Sequence, residues 1–521
     1  MRTSILAFTI LLFLGLSFVF FTAEAPIEED AYISFRHVLG LYAGNGIGFN
    51  IGENEESYSN LLWILMLAAL HGLGTGIPLA AYILGMLSAM ALIAYLHFRV
   101  HPIAALLLAS CVPFLHWSQH GLETVFYALL VTVGTIEMGT GSTKRQILAT
   151  SMWMLAVFTR PEAPILFGAL ALAGLYRVVI RRDALRPWLL SFILMAVALG
   201  GLEAWRLLYH GDPFPNPFYS KQVKTSLSPG FAYTYEFFFR SKLWYLLAFP
   251  LAYMLAGGRG DRRFLFTLAV LVGQFVFVIL EGGDQMSKPY FRFFVPILPL
   301  FFAAACWCLE TVIRRGAATR PLLRGAVLAV LGLGLASFNA LAYVNRLPGK
   351  PQMSYGAFTE SLQRAVHNQT NWREMKRFFS NPDYMPSNFH TLNARWIREH
   401  TPPGSVIAHD QMGQTPFYAG LEYTFIDLFG LCTRGVAKVR YAHDGSYFVP
   451  EYGEYVFGRN PDYIMSYTFG HLHALGLEVV PNAPLLPPTP QSLNYKFLCV
   501  VTDPRGGRTT IFARRDHHPD R

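Results

Sequence analysis

Charge is what this sequence is short of. Only 14% of its 521 residues are Asp, Glu, Lys or Arg, against about 25% in an ordinary soluble domain. Alongside 53% hydrophobic residues, that deficit argues against a soluble globular enzyme. Cysteine is scarce as well. Of five, Cys111, Cys306 and Cys308 lie inside apolar runs, which leaves Cys432 and Cys499 as the one pair open to a disulfide. No Cys/His cluster has zinc spacing, no glycine-rich phosphate loop or GxGxxG opens a helix, and no DxD occurs, so an ATP or nucleotide-sugar site is unsupported. Apolar runs, by contrast, recur from Ser4 to Val344 with Arg and Lys in the gaps, and stop after Asn345. That pattern predicts a polytopic α-helical membrane domain over 1–344, with a first outer loop at 24–76 carrying juxtamembrane helices, and a C-terminal soluble α/β domain over 345–521.

The net charge of +9 sits in short loops between apolar runs and forms no stripe, so topology accounts for it and no nucleic-acid partner is expected. Ser4 to Thr22 reads either as a cleaved signal, with Ala23-Glu24-Ala25 as a loose cleavage site, or as a retained first span. Its apolar length, beyond the ~7–15 residues of a signal's apolar region, favours retention with Arg2 in the cytoplasm. Lys144-Arg145, Arg177 to Arg186, Arg259 to Arg263 and Arg314 to Arg324 are basic and poor in acids, and read as cytoplasmic. Glu28 to Asn60, Ser118 to Glu123, His210 to Lys242 and Glu281 to Tyr290 hold most of the acids and aromatics, and read as outer loops.

Spans near 124–138 and 102–116 put Arg99 inside, so a single crossing, 77–98, fits between Asn60 and Arg99. Leu61 to Leu73 must then lie along the outer interface or re-enter. Adding 147–159, 164–180, 187–209, 243–258, 264–280, 291–310 and 322–344 predicts about eleven spans with the tail outside. In the tail, Ser405 to His409, Tyr423 to Leu428, Tyr463 to Tyr467 and Thr509 to Ala513 read as strands. Asn388 to Glu399 reads as a helix with Phe389, Leu392, Trp396 and Ile397 on one face.

Glu28, Glu29 and Asp30 stand a few residues after the first span, followed by Tyr32 and Arg36. One reading is a solvated turn, with Asp30 capping a helix whose Ile33, Leu39 and Leu41 lie on the interface. The other is a general base: a carboxylate takes a proton from an acceptor hydroxyl while Arg36, about two helical turns on, meets an anionic leaving group.

The wording of this stretch, "EDAYISFRHVLGLYAGNGIGFNIGENEESYSNLLW", resembles the opening of the bacterial terminal arabinofuranosyltransferase family and its uncharacterised relatives, integral membrane enzymes of the GT-C glycosyltransferase class. The resemblance continues in order through His120 to Thr124, Thr159-Arg160-Pro161-Glu162, "YHGDPFPNPFYSK" from Tyr209, "EGGDQM" from Glu281, "YFRFFVPILPL" from Tyr290 and "HDQMGQTPFYAGLEYTFIDLFGL" from His409. Glu29 stands where the family usually has the first Asp of a pair, Pro217 where Thr is common, and His409 where Gly is usual.

The resemblance implies a GT-C-like fold, and transfer with inversion of a sugar, in that family arabinofuranose, from a polyprenyl-phosphate donor to a cell-envelope glycan outside the cytoplasmic membrane. Asp30, with Glu29, is then the candidate catalytic acid pair. A lipid-linked donor enters sideways from the bilayer, so its phosphate is met at the outer interface. Arg36, Arg160, Lys221 and Arg292 are the candidates, with headgroup anchoring as the plain alternative. Tyr32, Glu123, Glu162, Asp212, Asn216 and Asp284 are candidate substrate-binding or supporting residues. An Arg160–Glu162 salt bridge and a merely stiffened Pro213–Pro217 loop are the competing readings. Asp410 and Asp427 read as turn-fixing, and Trp396, Tyr418, Tyr423 and Tyr447 as core or as sugar-stacking rings. No cofactor is required on this reading. A divalent cation is left open, since these loops carry carboxylates but no ligand-spaced motif. The rivals are a transporter, which would want charged or polar groups in mid-span where Glu203 and Gln274 are the few that stand, and a non-catalytic envelope or motility-associated protein.

Overall fold

Unbroken apolar sequence becomes helix here because a segment inside lipid has to satisfy its backbone N–H and C=O groups within itself. A computed structural model describes residues 2–516 apart from 24–26, 222–226, 241–242, 256–260, 285–289, 317–331, 333, 335–368, 382–383, 478–490 and 503–506. Among the described residues, Arg2–Phe21, Ile77–Arg99, Ala163–Arg181, Arg186–His210, Arg262–Glu281 and Arg292–Thr311 are long and apolar enough to cross a membrane, and Leu61–Gly72, Thr124–Met138 and Leu246–Leu255 are shorter apolar helices. The helices are α1 (Arg2–Ala23), α2 (Ala31–Tyr42), α3 (Leu61–Gly72), α4 (Ile77–Arg99), α5 (Pro102–Ala109), α6 (Val112–Trp117), α7 (Thr124–Met138), α8 (Thr143–Val157), α9 (Ala163–Arg181), α10 (Arg186–His210), α11 (Asn216–Lys221), α12 (Ser228–Tyr235), α13 (Tyr245–Leu255), α14 (Arg262–Glu281) and α15 (Leu298–Gly316), followed by α16 (Gln369–Ser380) and the tail.

Proline explains two departures from the expected spans. The stretch 102–116 is two helices, α5 and α6, because Pro113 has no N–H to bond back and its ring would clash with the Ala109 carbonyl. The stretch from Arg292 starts as a 3-10 turn, Arg292–Ile297, around Pro296 before α15 begins. The expected span 322–344 and the 344/345 boundary lie outside the described residues.

The chain forms two compact units. The first is Met1–Ile27, Leu79–Gly201 and Ser226–Ser380; the second is Glu28–Pro78, Leu202–Thr225 and Asn381–Arg521. In the first, α7 packs on α8, α9 on α14 and α13 on α15. Its basic loops gather at one end. Arg99 and Arg145 both bond Glu137, at 3.0 and 3.3 Å, Arg177 and Arg262 share Asp183 at 2.8 and 3.3 Å, and Gly139 lies against the Arg263 backbone. Loops that read as lying on one side of the membrane thus meet one another.

In the second unit the tail builds a five-stranded sheet from β1 (Val406–His409), β2 (Thr424–Asp427), β3 (Tyr463–Ser466), β4 (Tyr495–Thr502) and β5 (Arg508–Arg514), in the order β2-β1-β3-β5-β4. The β1–β2 and β1–β3 pairs are parallel, and β5 pairs antiparallel with β3 and β4. Helices α17 (Phe389–His400) and α18 (Gln414–Ala419) cover one face, and α19 (Arg434–Ala442), α20 (Pro450–Gly458) and α21 (Phe469–Ala474) the other. The α17 face is centred on Asn393, Ala394 and Ile397, with Phe389, Leu392 and Trp396 only partly covered. Strand β4 was not anticipated, since its half-exposed edge alternates weakly. Cys432 and Cys499 are both free thiols.

The edge strand β2 does not face water bare. Asn50 accepts from the Phe425 N–H at 3.0 Å and donates to the Phe425 carbonyl at 2.8 Å, as a neighbouring strand would. Ile33 and Phe49 enter the hydrophobic core beneath it with Phe425 and Tyr463. Asn50→Ala should leave that buried amide open, at about 2 kcal/mol. Hydrogen exchange on the full chain should then run about 30-fold faster at Phe425 and little changed in β3; unchanged exchange at Phe425 would show that Asn50 does not complete the sheet.

Candidate functional site

The acid pair lies in the second unit, at the turn into α2. Asp30 is the N-cap residue of α2 but makes no side-chain cap bond. Glu29 reaches instead to the tail, where its Oε1 accepts from the Gly413 N–H at 2.7 Å and the Gln414 N–H at 3.2 Å, with His390 Nδ1 at 4.0 Å. Gly413 has to be glycine, because a Cβ there would run into the Glu29 carbonyl oxygen. Burial pushes the Glu29 carboxyl up to about 8, the Asp30 charge adds to the rise, and the two amides oppose it.

Arg36 is not where a phosphate contact requires it. Its side chain is fully buried, with Nε donating to Phe49 O at 2.9 Å, Nη1 to Gly420 O at 2.9 Å and to Pro416 O, and Nη2 to Tyr423 O at 2.9 Å. Its guanidinium lies 5.0 and 5.1 Å from the Phe49 and Phe425 rings. Burial pulls its pKa down to about 9, and four of its five N–H groups serve the protein backbone. The expectation of an Arg36–phosphate contact is corrected on that ground: Arg36 ties the first loop to the tail. Tyr32 is buried beside it, its hydroxyl 3.2 Å from that of Tyr418 and its ring against Phe35 and Phe417.

Asp212 and Asn216 meet the same tail. Asp212 bonds Lys438 at 2.5 Å and the Tyr219 hydroxyl at 2.5 Å; burial opposes its charge, but these partners hold its carboxyl below the usual range. The Asn216 N–H donates to Glu56 O at 2.8 Å and its side chain to Glu55 at 3.3 Å, while Glu55 takes the Arg434 N–H at 2.6 Å. This is a shaped loop held by α19. Lys221 ends α11 with an exposed side chain.

The other candidates share the first unit, at the end opposite its basic loops. Arg160 bonds Glu123 at 2.7 Å and Glu162 at 3.0 Å, all three buried. Arg292 lies 3.1 Å from Asp284, and the Phe293 ring has Arg160 at 5.7 Å and Arg292 at 5.4 Å. Trp117, 5.7 Å from Arg292, donates to Tyr290 O at 2.9 Å. Arg160 is thus held by two carboxylates, and the salt-bridge reading of Arg160 holds.

The expected phosphate set is therefore divided, with Arg36 and Lys221 in one unit and Arg160 and Arg292 in the other. The sequence reading missed Arg434 and Lys438, although their spacing of four residues was a usable helical signal. It also missed Gly413 and Phe293, which carry none. Among the described residues no three His, Cys, Asp or Glu side chains converge to hold a metal ion.

A crystal structure of ArnT from Cupriavidus metallidurans in the apo state matches 97% of this chain and 97% of its own, at 14% identity and a TM-score of 0.51. The same protein bound to undecaprenyl phosphate matches equally widely, at 14% identity and a TM-score of 0.50. This chain has the ArnT fold. The expected class, a polytopic GT-C-like membrane protein with a C-terminal α/β domain, stands. A family model described as Domain of unknown function (DUF8728) matches residues 383–511, within the tail. No curated protein matches the chain.

A carboxyl raised by burial keeps its proton in the folded state while the unfolded chain loses it, so its contribution to stability is present at low pH and is lost as pH rises through about 8. Melting of the full chain should fall between about pH 5 and pH 8, and Glu29→Gln should flatten that fall; equal slopes would remove Glu29 as its source. Arg160→Met should destabilise the first unit by about 3–5 kcal/mol, because it strands two buried carboxylates. Adding Glu123→Gln and Glu162→Gln to Arg160→Met should recover part of the loss in thermal melting.

Proposed function

We propose that the chain is a GT-C membrane glycosyltransferase that moves a sugar from a polyprenyl-phosphate donor to a cell-envelope glycan on the outer side of the cytoplasmic membrane, with the tail on that side. Arabinofuranose is the donor sugar the family resemblance favours. The observation that carries the reading is the likeness, along nearly the whole chain, to a protein crystallised with undecaprenyl phosphate. Asp30 is the base: it takes the acceptor hydroxyl's proton as that oxygen attacks the anomeric carbon, and polyprenyl phosphate leaves with the bonding pair. Glu29, held by the Gly413 and Gln414 amides, fixes the turn that presents Asp30. For the leaving phosphate, this reading takes Lys221, whose exposed side chain belongs to the same unit as Asp30. No resident cofactor is part of this reading, and a divalent cation is an addition to be titrated in the assay.

Two observations weigh against transport. Glu203, the acid a transporter would want in mid-span, pairs with Arg206 at 3.0 Å near the end of α10, and Arg206 also holds Glu56 at 2.6 Å. Gln274 donates to Phe293 O at 2.6 Å. Both groups have structural partners.

The test is release of polyprenyl phosphate by the full chain in nanodiscs, given decaprenyl-phosphate arabinofuranose and a panel of other polyprenyl-phosphate sugars with envelope glycans. At least one donor should be consumed, and Asp30→Asn should lower the rate by about 10²–10⁴-fold while donor binding persists. A normal rate in Asp30→Asn would remove the base assignment, and no release from any donor would remove the enzyme reading.

A further inference from the structure

Helix α10 has 25 residues, or about 37 Å at 1.5 Å per residue, against about 30 Å of hydrocarbon. Its ends therefore fall in the headgroup layer. The last turn still shows lipid an apolar face, since Leu207 is exposed and Leu208 is 88% exposed. The chain then turns at Gly211, whose φ of 70° suits glycine, and α11 brings Phe214 and Phe218 into a stack at 4.3 Å. Phe214 is 44% exposed although an apolar ring has no reason to face water there.

Helix α19 of the tail is bolted to this turn. Arg434 Nη2 donates to His210 O at 2.9 Å, Lys438 pairs with Asp212 at 2.5 Å and lies 5.3 Å from the Tyr219 ring, and Tyr441 packs 5.6 Å from Tyr219 and 6.3 Å from Phe218. Outward from those bolts, Tyr441 is 47% exposed and the Lys438 side chain 50%. Exposed aromatic rings and lysines within a few residues of a span's last turn are the composition that favours the membrane–water interface.

We propose that α19 is a membrane-interface helix: the tail rests on the bilayer through Tyr441, Phe214 and Phe218 at the acyl boundary, with Lys221 toward lipid phosphates. The occupant of this aromatic patch is a lipid surface, argued from its continuity with α10 and from its charge. This rests on α10 crossing the membrane and not on the transferase reading.

The full chain would be reconstituted into vesicles of phosphatidylcholine and phosphatidylglycerol in equal parts, doped with a phospholipid carrying a diazirine near the headgroup, irradiated, and mapped by mass spectrometry. Adducts on the peptide holding Lys438 and Tyr441 should match those on the peptide holding Phe214 to Lys221, and exceed by several-fold those on exposed Arg395 and Glu399 of α17. Tyr441→Ser, a change at an exposed position, should reduce the α19 adducts and leave those at Phe214 to Lys221. Adducts at Phe214 to Lys221 with only background on α19 would overturn the proposal. So would an α19 peptide that stays unlabelled by lipid but is protected from exchange by a soluble envelope glycan, which would make the patch a sugar platform.

Discussion

The second unit depends on four backbone carbonyls that converge on one buried guanidinium. Phe49, Pro416, Gly420 and Tyr423 each turn a C=O inward, and the Arg36 guanidinium answers all four. Buried carbonyls left open cost about 1–3 kcal/mol each, so the first loop and the tail cannot part without losing several such bonds together. Asn50 on Phe425, Glu29 on Gly413 and Gln414, and Arg459 on Glu53 repeat the pattern with other chemistry. The tail is thus less an appendage than the frame that sets where Asp30 stands.

Charge balance decides which basic groups are free to act. An arginine held by two carboxylates in a buried knot is already neutralised before any ligand arrives. One held by carbonyls, as Arg36 is, has four of its five N–H donors used instead. Neither condition can be read from the residue letter. Both arginines looked equally suited to a phosphate in the sequence, and the structure separates them by what surrounds them.

What the sequence disclosed follows the same division. Spans made of long apolar runs were legible within a residue or two at α9, α10 and α14, because hydrocarbon imposes one length and one composition. Four of the five strands were legible from β-branched and aromatic runs. The break between α5 and α6 and the 3-10 entry to α15 were hidden, although Pro113 and Pro296 announce them, because hydropathy averages over a single residue. Site residues were legible as types but not as partners. Glu123, Arg160 and Glu162 do meet, whereas Arg36 and Lys221 belong to a different unit from Arg160 and Arg292. Pairing across long stretches of chain is a tertiary fact, and spacing says little about it.

A consequence follows for the acid pair. Two carboxyls next to each other in sequence cannot both ionise cheaply when one is buried, and here burial and the Asp30 charge keep the proton on Glu29 against the pull of two amide donors. Where the resembling family usually has Asp, the longer Glu29 side chain spans from the turn to the tail. That side chain therefore acts as a strut between the first loop and the tail. The same sheet end that accepts Glu29 has Asp410 closing the β3 loop through the Tyr467 and Thr468 amides. At the parallel end of the tail sheet, where open α/β sheets usually take a ligand between strands whose helices go to opposite faces, this chain has placed its own carboxylates on those amides. A crevice that elsewhere binds an anion is used here to hold the first loop in place.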